Sequence, residues 1–105
     1  MKDKLCTCEK CRDAIEASLS IIGGKWSVLI LWNLYEGTKR FNELQRLMPG
    51  ISPKTLSQRL QELESSGIVL RTLYPEVPLR VEYSLTAKGN ELRDIFGALI
   101  QWSNH

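Results

Sequence analysis

Apolar residues recur at three- and four-residue intervals along most of the chain, the spacing that places them on one face of a helix. Ala14, Ile15, Ser18, Leu19 and Ile22 follow the charged cluster Lys10 to Asp13 and predict a first helix that stops at Gly23-Gly24. Trp26, Leu29, Ile30 and Leu34 occupy most of the circumference of the next segment, Lys25 to Tyr35, which predicts a central helix ended by Gly37. A short basic link, Thr38 to Arg40, leads to Phe41, Leu44, Leu47 and Met48, one face of a short helix closed by Pro49-Gly50. The segment Ile51 to Gly67 carries signals for both of its ends. Ser52 is an N-cap residue, Pro53 stands at the first helical position where its missing N–H costs nothing, and Gly67 lies where a terminating glycine belongs. On that helix Leu56, Leu60 and Leu63 share one stripe, Lys54, Gln58 and Gln61 lie opposite, and Thr55 and Ser57 flank them.

The period then changes from helix to strand. Ile68 to Tyr74 and Arg80 to Leu85 read as two strands joined by Pro75-Glu76-Val77-Pro78, a hairpin with a stiff tip. Thr86 caps a last helix bearing Leu92, Ile95, Phe96, Leu99, Ile100 and Trp102. The fold class is thus mainly α with a small β-hairpin wing. Two short helices joined by a Pro-Gly-Ile turn and followed at once by a hairpin form the winged helix-turn-helix arrangement, whose second short helix enters the major groove. Base edges there are read by hydrogen-bonding side chains, so Lys54, Thr55 and Gln58 are the expected readers, with the Thr55 methyl available to thymine. The helix N-terminus at Ser52 suits a phosphate oxygen, and Lys39, Arg40 and Arg59 suit neighbouring phosphates. Arg80, beside the hairpin tip, is expected to reach the adjacent minor groove or its phosphates, with Arg71 on the facing strand as the lesser candidate.

Composition narrows the alternatives. The chain has 105 residues, 43% of them hydrophobic and 25% charged, the proportions of one ordinary globular domain. We therefore expect a single domain over 1–105, with a short cysteine-containing arm at 1–11. The longest purely apolar run is Val28 to Trp32, far short of the ~20 residues of a membrane span, so a cytoplasmic protein without membrane contact is expected. The formal net charge is only +2, but between Glu36 and Gln61 five basic residues face two acidic ones, which favours a polyanion there. Nothing in the chain reads as a glycine-rich phosphate loop, and the one histidine is His105, so neither an enzyme nor a cofactor is expected. Glu62 and Glu64 lie on different sides of one helix and read as solvated residues. A winged helix that binds protein instead of DNA is the remaining class; the basic face of the Pro53 helix argues against it.

The runs IIGGKWSVLILWNL, KRFNEL, PGISPKTLSQRLQELESSGIV and YPEVPLRVEYSLTAKG, from about Ile21 to Gly89, resemble the HxlR family of bacterial transcriptional regulators, relatives of the MarR group. The resemblance implies a homodimeric repressor or activator with the Pro53 helix as recognition helix, the hairpin as wing and the terminal helices as dimer interface. The residues support the last point separately. A core this small has little room for both terminal helices, so Ile15, Leu19, Phe96, Leu99, Ile100 and Trp102 are expected to pack against a second copy. The expected partner is double-stranded DNA with two half-sites about one helical turn apart.

The three cysteines, Cys6, Cys8 and Cys11, all lie near the start. Many members of the resembled family carry one cysteine shortly before the first helix, commonly followed by proline, and in some it senses oxidants or electrophiles. Cys11 is the nearest match, although Arg12 replaces the proline and the spacing to Gly23-Gly24 is slightly longer. Lys10, Arg12 and a helix N-terminus favour the reactive thiolate, while Glu9 and Asp13 oppose it. Oxidation to a sulfenic acid or an intersubunit disulfide would shift the first helix and, with it, the spacing of the recognition helices. The alternative is a metal-responsive regulator using Cys6, Cys8 and Cys11, with His105 as a fourth ligand. The effector is either a small molecule bound between the domains or the thiol chemistry itself.

Overall fold

The computed structural model describes residues 7–105, from Thr7 to the C-terminus. Five helices and three strands follow in the order α1 (Glu9–Ile22), α2 (Lys25–Leu34), β1 (Lys39–Arg40), α3 (Phe41–Leu47), α4 (Pro53–Ser65), β2 (Val69–Tyr74), β3 (Arg80–Leu85) and α5 (Ala87–Ser103). The strands form one antiparallel sheet in the order β1-β3-β2. Val69 faces Leu85 and Tyr74 faces Arg80 in the hairpin, while Lys39 faces Tyr83 on the other edge. This is a winged helix-turn-helix with a three-stranded wing sheet.

The core explains the order. Ile30, Leu31 and Leu34 of α2 are buried among Leu44 and Met48 of the α3 segment, Leu56, Leu60 and Leu63 of α4, Ile68, Val69 and Tyr83 of the wing, and Phe96 of α5. The leucine stripe read from the sequence of α4 is therefore its buried face, and the polar residues opposite are left outside. Gly23-Gly24 ends α1 and turns the chain by 73° into α2. Gly67 has a φ of 77°, so the chain leaves α4 through the left-handed conformation that glycine adopts without strain. No single described helix is long and apolar enough to cross a membrane.

The structure departs from the sequence reading at four places. Lys39 and Arg40 are not a plain link but the edge strand β1, paired with Tyr83 and Glu82. The first helix begins at Glu9, ahead of its apolar stripe, so the last residues of the expected arm are helical and Cys11 lies within α1. The second strand starts at Val69 because the Ile68 N–H is still engaged by the Leu63 carbonyl, at 3.0 Å. Phe96 is buried in this chain's own core, with its ring 5.9 Å from that of Tyr35 in an edge-to-face contact, so it does not belong with the exposed apolar residues of α5.

Candidate nucleic-acid interface

The N-terminal end of α4 is built by its cap. The Ser52 hydroxyl oxygen accepts from the Thr55 N–H at 3.1 Å and donates to the Thr55 hydroxyl at 3.0 Å. Thr55 is thereby turned toward the cap and half-buried, while Lys54 and Gln58 point outward with Ser57 and Gln61. Of the three expected base readers, Lys54 and Gln58 stand open and Thr55 is occupied. A groove of about 300 Å³ runs between α4 and the wing, lined by Ser57, Gln61 and Glu64 on one side and Arg71 and Tyr83 on the other. Ser57 and Gln61, which are not among the expected base readers, line it together with Arg71, the lesser wing candidate. The signal for the first two was their place on the same exposed side of α4.

The expected phosphate contacts differ among themselves. Arg40 is exposed, and its backbone N–H donates to the Glu43 carboxylate at 2.8 Å, which fixes the start of α3 beside it. Lys39 is largely covered, and its ammonium lies 3.8 Å from Glu36. Arg59 sits 3.3 Å from the Glu62 carboxylate on the same helix. Surface pairs of this kind are weak and leave the cation able to exchange partners. Arg80 is different, because it donates to Glu82 at 2.6 Å and to Glu76 at 2.8 Å and lies 3.9 Å from the Tyr74 ring centroid. Donating to the Glu76 carboxylate raises its pKa further above the ordinary value, desolvation opposes this, and the Glu76 charge, the hydrogen bond to Glu82 and the Glu82 charge add to the rise.

Toward the chain start, Cys8 is the N-cap residue of α1 and exposed, and Cys11 lies in the first turn, partly covered. Cys6 lies outside the described residues. Arg12, expected to favour a Cys11 thiolate, is itself drawn to Glu9 and Asp13 at 3.7 and 3.8 Å. Among the described residues no group of three His, Cys, Asp or Glu side chains is placed to hold a metal ion. Ile15 and Leu19 on α1 and Leu99, Ile100 and Trp102 on α5 are all exposed, Trp102 at 74%.

The model of the HxlR-like helix-turn-helix family matches residues 21–105. The chain is 47% identical over 93 residues to YtcD, an HTH-type transcriptional regulator of Bacillus subtilis (strain 168), across 88% of this chain and 74% of that protein. Among solved structures, the redox regulator HypR in its oxidised form superposes with a TM-score of 0.80 at 42% identity, covering 87% of this chain and 94% of that one. The reduced form of the transcriptional regulator YodB from B. subtilis gives 0.79 at 39% identity, covering 94% and 93%. With the winged helix-turn-helix fold, the exposed polar face of α4 and these relatives in agreement, the chain belongs to the HxlR-like helix-turn-helix family of transcriptional regulators.

Proposed function

We propose that the protein works in the cytoplasm as a homodimer that binds an operator with two half-sites, one α4 in the major groove of each. The observation that carries this reading is α4 itself: a helix capped by Ser52, buried along Leu56, Leu60 and Leu63, and presenting Lys54 and Gln58 outward from its first two turns. Arg40 and Arg59 would hold phosphates and so position the helix without reading sequence. The exposed apolar residues of α1 and α5 are the surface a second copy would cover. We further propose that oxidants act through Cys11. The support is its place in the first turn of α1, one of the two helices assigned to the interface, and the likeness to HypR, a redox regulator.

Fluorescence anisotropy of the reduced protein on a labelled duplex taken from the DNA upstream of its own coding sequence tests both parts. Affinity should fall steeply with salt, and Lys54→Ala with Gln58→Ala should lower the ratio of specific to non-specific binding by ~1–3 kcal/mol per lost base contact. An unchanged ratio would defeat the assignment of α4, and salt-insensitive or absent binding would favour a protein partner. Treatment with diamide should change the affinity in the wild type but not in Cys11→Ser; an equal response in both would remove the sensor.

A further inference from the structure

Beyond Val81, which packs against the core, the distal wing has little to hold it in shape. Past the buried Val69 and Tyr83, the hairpin runs out through Leu73 and Tyr74, a loop of Pro75, Glu76, Val77, Pro78 and Leu79, and back through Arg80, with Val77 and Leu79 exposed at its end. A two-stranded ribbon without an apolar face to bury is marginal in water. Arg80 supplies three ties at one point. Its guanidinium bonds Glu76 in the loop and Glu82 on its own strand, and lies over the ring of Tyr74, the residue it pairs with across the ribbon. A planar fork with several donors makes such contacts together; a lysine ammonium does not match that geometry.

The same ties engage the charge that a DNA contact would use. Between Leu73 and Glu82 the charged residues are Glu76, Arg80 and Glu82, so this part of the wing is net negative, and its one cation is already between two carboxylates. We infer that Arg80 is a positioning residue that braces the wing, and that the distal wing adds no cation to DNA binding. The cation that the β2–β3 hairpin does offer is Arg71, exposed on β2 in the groove beside Ser57 and Gln61. The inference rests on the operator-binding reading for its DNA consequence alone.

Hydrogen exchange of the full-length protein without DNA tests the brace. In Arg80→Met the amides between Thr72 and Glu82 should exchange about tenfold faster or more, while those of Leu60 and Leu63 in α4 stay protected. Arg80→Lys, which keeps the charge but not the fork, should loosen the wing as well. Glu76→Gln, which weakens the loop bond alone, should loosen the loop and serves if Arg80→Met fails to fold. On the upstream duplex, Arg80→Met should weaken binding with the slope of log K against log salt unchanged, whereas loss of a phosphate contact would reduce that slope by ~0.9. Wild-type exchange in the variants, restoration by Arg80→Lys, or the reduced slope would overturn the brace. If the wild type binds no DNA, the operator reading fails while the exchange result still decides the role of Arg80.

Discussion

At the scale of the residue, Tyr35 shows how burial becomes a pH dependence. Its ring packs on Phe96, the Arg93 guanidinium lies 4.9 Å from its centroid, and its enclosed hydroxyl has no protein partner among the described residues. Burial raises the phenol above its ordinary value of 10.0, and the Arg93 charge pulls the other way. A raised acid stays neutral in the folded state where the unfolded chain has begun to ionise. Its contribution is therefore fully present below the ordinary value and is lost as pH rises through it toward the folded one. Tyr35→Phe should leave neutral-pH stability unchanged or higher by up to ~1 kcal/mol and should flatten the alkaline loss. Urea unfolding at neutral pH and on either side of the tyrosine range measures both, and an equal alkaline loss in the variant would exclude Tyr35 as its source. Arg80 teaches the complementary lesson about reading charge. Its pairing with Glu82 was implicit in the strand period, which puts residues two apart on one face, but Glu76 reaches it only through the loop.

At the scale of the element, the joint between α4, the wing and α5 turns on close backbone approach. The Thr86 hydroxyl donates to the Gly67 carbonyl at 2.6 Å and accepts from the Gly89 N–H at 3.0 Å, which seats the first turn of α5 against the start of the wing. A Cβ on Gly89 would lie 2.3 Å from the Ile68 carbonyl oxygen, a backbone atom with no rotamer to escape through. Gly89→Ala should cost ~1–3 kcal/mol, read as a lower urea midpoint, despite the higher helix propensity of alanine. A stabilised variant would mean that α5 docks elsewhere. Elements of this kind differ in how far local sequence announces them. Helix α4 was legible because Ser52, Pro53, the leucine stripe and Gly67 are local signals that agree. Strand β1 was not, since two residues have no period and become a strand only by pairing with Tyr83 and Glu82, far along the chain. The stripe on α5 was legible as apolar but not as two surfaces. Periodicity cannot tell that Phe96 meets Tyr35 while Leu99 and Trp102 remain outside.

At the scale of the molecule, these two surfaces decide whether one chain is a complete unit. Helix α1 buries none of its residues, and α5 buries only Gly89 and Phe96 over its 17 residues. Ile15 and Leu19 on α1 and Leu99, Ile100 and Trp102 on α5 are all exposed, and on the homodimer reading proposed above they are what a second copy covers. A two-fold axis would let the same patch cover itself and would relate two α4 helices as a palindromic operator requires. Leu99→Glu places a charge in that patch without touching the core or α4. Sedimentation should find a dimer for the wild type and a monomer for the variant, and the wild-type melting temperature alone should rise with protein concentration. The variant should retain weak binding to a single half-site and lose the added affinity of a duplex carrying two, because linkage between the half-sites goes with the dimer. A variant that stays dimeric would move the interface away from α5, and a wild type that sediments as a monomer would make each recognition helix an independent reader.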